Sequence, residues 1–240
     1  MAGERDLLYL FGIAGHPAPS PLLGQLEAAG FNVVVPRIKG FDASWDFVAP
    51  DDYLGWLTVL WDAIDASGVR LPCPVVGASV GGMLAVDLAA YRPEAVSALA
   101  LLAPFGIFDD ANQGIDVYAV PTPDRMEHLF AKGVPEPFVD RFSELGPDDG
   151  PVARYLSDVA AANLLWPLGD RGQASRLHRI RCPRLSLWGE QDELLPPGVS
   201  ARWAEGGVPA EVIDGAGHLL EWDAPDEVGA RVVAFLRDAR

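Results

Sequence analysis

Five residues, Gly77-Ala78-Ser79-Val80-Gly81, have the types and the spacing to build a nucleophile. A short apolar run, Pro74-Val75-Val76, enters them, and a long apolar helical pattern leaves them. A serine on a sharp strand-to-helix turn takes a strained backbone conformation. Residues two positions away on either side must then lack a Cβ, or they collide with strand and helix. The turn lifts the serine hydroxyl over the end of the sheet, where a base can reach it. The free N–H groups and the positive dipole end of the new helix point at the same spot. Glycine is common in this chain, so the spacing alone decides little; the strand before it and the helix after it supply the context the turn needs.

A serine hydroxyl is a poor nucleophile until a base removes its proton, and the base in turn needs an orienting carboxylate. The chain has four histidines. His218 stands in Gly215-Ala216-Gly217-His218, directly after the last predicted strand, in a loop able to swing over the carboxyl edge of a sheet. His128 and His178 fall in helical patterns, and His16 sits in the first Gly-rich turn. For the carboxylate, Asp192 lies just past a strand end in Leu187-Trp188-Gly189-Glu190-Gln191-Asp192-Glu193-Leu194-Leu195-Pro196. An acid at a turn is most often a turn former, but this position at the sheet edge favours an orienting role. Its neighbour Glu190 is an alternative, and Asp109 or Asp110, after the preceding strand, is a third.

The elements that must position these residues follow from apolar patterning. Leu7–Phe11, Phe31–Val35, Pro74–Gly77, Val96–Ala103, Pro183–Trp188 and Ala210–Ile213 read as strands, mostly as continuous apolar runs suited to burial on both faces. Helices are expected over about 20–29, closed by Gly30, over 51–68, where Tyr53, Trp56, Leu57, Leu60, Trp61 and Ile64 recur at helical spacing, over 79–92, 198–206 and 225–240. Val228, Val232, Phe235 and Leu236 form the inner face of the last, and Pro225 suits its first turn. This alternation predicts an α/β fold with a mostly parallel sheet of about six strands and right-handed crossovers. Residues 105–175 break the pattern: they show scattered aromatics, many prolines and helix-like pieces near 123–132, 135–145 and 151–166. The expected organisation is a core of 1–104 and 176–240 with a helical insertion of 105–175. Phe41, Trp45 and Phe47 lie in the long loop 36–50, either packed beneath it or lining a pocket.

Composition narrows the function classes. The chain has 240 residues, half of them hydrophobic, enough for a large core in one α/β domain. A formal net charge of −16 argues against nucleic acid or an anionic membrane as partner. No spacing of metal ligands, redox pair or cofactor motif appears, so neither metal nor cofactor is expected. Cys73 and Cys182 each precede a proline at the start of an apolar run. With strands about 4.8 Å apart and one strand between them, they are too distant for a disulfide. The residues Met1–Asp6 lack the apolar region of a signal peptide, and no apolar span is long enough to cross a bilayer, so a soluble, cytoplasmic protein is expected.

The serine turn at 77–81, the acid loop at 187–197 and the histidine loop at 215–223, in that order, resemble the α/β-hydrolase family, particularly its smaller capped members. Phe31–Ser44 also resembles the family's loop after its second parallel strand, and the likeness covers nearly the whole chain. The resemblance implies hydrolysis by Ser79, Asp192 and His218 at the carboxyl edge of the sheet, with 105–175 as a helical cap. It implies an oxyanion hole from the backbone N–H groups of Val80 and Ile13, and a substrate region near Phe105, Trp45 and Leu219. Two departures stand out. Leu7–Phe11 already looks like the family's third strand, leaving no room for the usual N-terminal hairpin. Phe11-Gly12 also stands where the family often has His-Gly. Carbon–carbon bond hydrolases of this fold typically carry Asn before the nucleophile and Trp after the histidine, where this chain has Ala78 and Leu219. The implied substrate is an uncharged ester, thioester or amide with an apolar acyl group. Carbon–carbon hydrolysis and a slow-turnover receptor built on the same residues are the alternatives.

Overall fold

Parallel strands cannot be joined by hairpins, so each needs a crossover through another layer. The computed structural model describes residues 5–12, 20–41, 47–136, 138, 141–166 and 168–239, apart from the side chains of 122, 123, 141 and 143. Among these, β1 (Arg5–Leu10), β2 (Phe31–Val34), β3 (Cys73–Ala78), β4 (Val96–Leu102), β5 (Arg184–Gly189) and β6 (Ala210–Ile213) form one sheet. Its order is β2-β1-β3-β4-β5-β6, and every neighbouring pair is parallel. The helices are α1 (Pro21–Ala28), α2 (Tyr53–Ser67), α3 (Val80–Tyr91), α4 (Thr122–Arg125), α5 (Gly146–Leu165), α6 (Gln173–Arg176), α7 (Ser200–Glu205), α8 (Leu220–Asp223) and α9 (Pro225–Asp238). The chain builds outward from β1 to β2, then returns to β3 on the other side of β1. Open α/β sheets form a ligand crevice beyond the strands' carboxyl ends at such a reversal.

The end signals explain the helix boundaries. Ser20 caps α1 by accepting from Leu22 N–H at 3.3 Å, and Asp52 caps α2 by accepting from Gly55 N–H at 2.7 Å. Gly68 ends α2 in the left-handed conformation, with φ +72°. In α3 every residue from Val80 to Ala90 is buried. That includes Asp87, whose carboxylate accepts from Tyr53 Oη at 2.5 Å, Gln173 Nε2 at 2.7 Å and Arg176 Nε at 2.6 Å. Left without those partners it would cost several kcal/mol. The cluster ties α2 and α6 to α3, the helix that follows Ser79.

Between β4 and β5 the described residues contain helices and turns but no strand. The helix expected over 151–166 is the 20-residue α5 and starts five residues earlier, with Pro151 inside it. A proline there removes one hydrogen bond near the start of the helix. Burial of Ala153, Ala160, Ala161, Leu164 and Leu165 along one side outweighs that loss. The piece expected over 123–132 divides into α4 and a 3-10 turn, Met126–Leu129, and among the described residues of 135–145, Arg141–Leu145 form a 3-10 turn. The expected helix over 198–206 opens with a 3-10 turn, Pro197–Val199. Helices α6 and α8 have four residues each, too few to show a period in sequence. Phe41 is buried between Phe11 and Trp56, at ring-centroid distances of 5.8 Å and 5.7 Å, and Phe47 packs on Trp56 at 5.6 Å. Phe41 is therefore core, and Phe47 packs, partly buried, against it. Cys73 and Cys182 are free thiols. Among the described residues, no helix is long and apolar enough to cross a membrane.

Two glycines test the packing with opposite signs. A Cβ at Gly81 would fall inside the backbone of Leu10 and Phe11, whereas one at Gly24, in α1, would meet nothing within 4 Å. Gly81→Ala is expected to destabilise by about 1–3 kcal/mol or more, because backbone cannot yield as a side chain does. Gly24→Ala is expected to stabilise by about 0.5–1 kcal/mol by favouring helix. Urea unfolding of both variants checks the pair.

Candidate active site

The serine turn is as tight as its glycines require. Ser79 has φ 54° and ψ −118°, a left-handed conformation rare for a residue with a Cβ. A Cβ at Gly77 would press on Gly81 and Gly82 of the new helix, and one at Gly12 would lie 2.9 Å from Ser79 Cβ. The end of β1 therefore passes directly beside the serine. The residue after β4, Ala103, also has a positive φ of 40°. Its turn lets Pro104 pack on Gly82 and lets Phe105 N–H donate to the Ser79 carbonyl at 3.1 Å.

Three strand ends bring three side chains together. Ser79 Oγ lies 2.8 Å from His218 Nε2, and His218 Nδ1 lies 2.8 Å from Asp192 Oδ2. All three are buried, at 1 %, 2 % and 4 % exposure. The second oxygen, Asp192 Oδ1, accepts from the N–H groups of Leu194 and Leu195, both at 2.9 Å. Four lone-pair directions on one carboxylate are thus largely used, which holds it in place and compensates its burial. A hydroxyl on an imidazole whose other nitrogen faces a carboxylate is the arrangement by which an oxygen nucleophile loses its proton on demand.

Two of the alternative acids are engaged elsewhere. Glu190 Oε2 accepts from Gly215 N–H at 2.9 Å, and Asp109 accepts from Ala111 N–H and Asn112 Nδ2 at 3.2 Å and 2.7 Å. Of the predicted oxyanion donors, Val80 opens α3, where the first N–H groups have no acceptor within the helix. Ile13 and Trp45 lie outside the described residues, as does His16. Phe105 stands edge-on to the His218 ring, with centroids 5.7 Å apart, and lines a small pocket with Ile107, Leu168, Leu194 and Leu195. Leu219 is buried, and its N–H donates to Leu129 C=O at 2.9 Å. Its position is therefore fixed by the chain between β4 and β5.

One residue near the site went unread in the sequence. Glu221 lies three positions after His218 in an apolar stretch, and that placement is the signal that could have found it. It is buried, and its Oε2 has no hydrogen-bond partner. Burial raises its carboxyl to about 7, against opposing contributions from its backbone hydrogen bond and the nearby His218. Among the described residues, no group of three or more His, Cys, Asp or Glu side chains is placed to hold a metal ion.

Comparison with known proteins places this geometry among relatives. A sequence model of the alpha/beta hydrolase family matches residues 12–231. The 2-hydroxy-6-oxo-6-phenylhexa-2,4-dienoate hydrolase of Comamonas testosteroni is 23% identical over 235 residues, which cover 90% of this chain and 80% of that protein. An uncharacterized carboxylesterase of Bacillus subtilis strain 168 is 27% identical over 258 residues, covering 93% of this chain and 81% of that one. Among solved structures, the 2-hydroxy-6-oxo-6-phenylhexa-2,4-dienoate hydrolase of Rhodococcus sp. strain RHA1 superposes with a TM-score of 0.76 at 20% identity. The match covers 98% of this chain and 91% of the Rhodococcus chain, and shows a shared fold.

The Glu221 environment predicts a pH-dependent stability. Between the ordinary glutamate value of 4.5 and about 7, the folded chain keeps a proton that the unfolded chain releases. Stability from this group is present in full below the unfolded value and is lost as pH rises through the folded one. Glu221→Gln cannot ionise. Between pH 5 and pH 8 the wild type is therefore expected to lose about 2–3 kcal/mol more unfolding free energy than the variant. Denaturant titrations at the two pH values measure the difference, whatever constant offset the amide introduces.

Proposed function

The chain belongs to the alpha/beta hydrolase family, and within it we propose a serine hydrolase that cleaves an ester, thioester or amide of an apolar small molecule through an acyl-enzyme on Ser79. The observation that carries this reading is the continuous chain from Ser79 Oγ to His218 Nε2 to Asp192, with 2.8 Å at each step. Ser79 Oγ attacks the substrate carbonyl carbon as its proton passes to His218 Nε2. Asp192 holds the imidazole by Nδ1 and stabilises the imidazolium. The carbonyl oxygen becomes an oxyanion beside the start of α3. There the N–H of Val80, with that of Ile13, would hold it, at about 3 kcal/mol per donor. Collapse expels the leaving group, which takes the proton from His218. Water then attacks the acyl-enzyme with His218 again as base, and Ser79 leaves with its proton restored.

In this reading residues 105–175 form a cap over the site. The apolar lining around Phe105 and Leu195 suits an apolar acyl or alkyl group. A cytoplasmic setting fits the two unbridged cysteines. Carbon–carbon bond hydrolysis is the second reading. It is favoured by the activity named for the Comamonas and Rhodococcus relatives, and disfavoured by Ala78 and Leu219 at the two positions flanking the serine and the histidine.

Turnover of p-nitrophenyl esters from acetate to decanoate, with labelling by a fluorophosphonate probe, tests the proposal. The wild type is expected to label and to show a preferred chain length. Ser79→Ala is expected to abolish labelling and to lower kcat by about 10⁶-fold, and Asp192→Asn by about 10⁴-fold. Full activity in Ser79→Ala would overturn the role of the serine. A large loss in Asp110→Asn with little in Asp192→Asn would overturn that of the acid. Labelling without ester turnover would favour the carbon–carbon reading.

A further inference from the structure

The histidine loop is held from outside the sheet. The residue before His218, Gly217, donates its N–H to Asp223 Oδ2 at 2.7 Å. The same oxygen accepts the N–H of Ala131 at 2.9 Å. The residue after His218, Leu219, donates its N–H to the carbonyl of Leu129 at 2.9 Å. Gly217 lies so close to this stretch that a Cβ there would be 2.7 Å from Ala131 N and 3.0 Å from Phe130 C. Leu219 is thus bonded directly to the stretch 129–131, which belongs to the chain between β4 and β5, and Gly217 is joined to the same stretch through Asp223. An aromatic ladder continues the contact: Phe130 meets Phe138 at 5.2 Å, and Phe138 meets Trp222, beside Asp223, at 5.0 Å.

The acid loop is gripped by the same part of the chain. Glu193, next to Asp192, accepts the N–H of Ile115 on its carbonyl at 2.9 Å. Its carboxylate faces His128 Nδ1 at 2.6 Å. The His128–Glu193 pair is largely exposed, and exposed pairs contribute little. The bonds to residues 129–131 and Asp223 are more sheltered, and Asp223 is the one side chain among them that receives N–H groups from both segments.

We propose that Asp223 is a positioning residue for His218, pinning the histidine loop to the strap 129–131 so that the imidazole stays aligned between Ser79 and Asp192. The proposal rests on the reading of His218 as the base. It gives the segment between β4 and β5 a part in aligning the base as well as in covering the site. A carboxylate suits the pin because one oxygen can accept two N–H donors, and charge-assisted bonds are about twice as strong as neutral ones. Freed of the pin, the loop could shift by a fraction of an ångström. Ser79 Oγ and His218 Nε2 would then leave hydrogen-bond distance while Phe105 and the apolar lining stayed in place. The cost therefore falls on kcat and leaves KM nearly unchanged.

The test compares wild type, Asp223→Asn and Asp223→Ala with the p-nitrophenyl ester that the wild type turns over fastest, and active sites are counted by fluorophosphonate titration. Asp223→Ala is expected to lower kcat per titrated site by about 10- to 100-fold with KM within about twofold, as for a misplaced catalytic group. Asp223→Asn keeps a neutral acceptor and is expected to recover most of the loss, remaining about 3-fold below wild type. Wild-type kcat per site in Asp223→Ala overturns the proposal, as does a change confined to KM or to the titratable fraction. Should the alanine variant not fold, the asparagine variant decides alone: a kcat about 3-fold down at constant KM supports the pin, and wild-type kcat overturns it. Absence of Ser79-dependent labelling in the wild type would instead remove the reading of the base itself, a result distinguishable from every other.

Discussion

The strained turn at Ser79 is the constraint on which the site depends. A positive φ at a residue with a Cβ is tolerated only where the surroundings over-determine it. Here Gly77 and Gly81 let β3 and α3 meet without a Cβ between them, and Gly12 lets the end of β1 pass against the serine. Burial of α3 on all sides, with Asp87 bound to Tyr53, Gln173 and Arg176, keeps the helix from relaxing the turn. The strain thus rests on burial and polar pairing far from the hydroxyl.

The second dependence is electrostatic. Asp192 and His218 are both buried, where a lone ionised carboxylate would favour its neutral form. Two backbone N–H groups and the imidazole give Asp192 enough partners to stay where it is needed. Glu221, three residues beyond the histidine, has a backbone hydrogen bond but leaves Oε2 without a partner, and burial drives its carboxyl up to about 7.

Much of this was legible in sequence. The apolar runs of β1, β3, β4 and β5 announce strands buried on both faces, because such strands need no alternation. The meeting of Ser79, Asp192 and His218 was legible because each lies within a few residues of a strand's carboxyl end, and a parallel sheet brings those ends to one edge. The start of α5 was not, since Pro151 reads as a beginning until the packing of Ala153 and Ala160 is seen. Nor were α6 and α8, which are shorter than any period.

The sequence by itself determined which residues turn and which run straight, and it marked candidates for the chemistry, because these depend on neighbours within a few positions. Choosing among the acids took the tertiary structure. Asp192, Glu190 and Asp109 are all acids past strand ends, and only their placement shows that Glu190 meets Gly215, Asp109 meets Asn112 and Asp192 meets His218. The hydrogen bond from Leu219 to Leu129 and the two hydrogen bonds that Asp223 accepts from Gly217 and Ala131 were likewise decided in space. Those partners are 90, 6 and 92 residues apart. A backbone N–H or C=O leaves no trace of its partner in the identity of its residue.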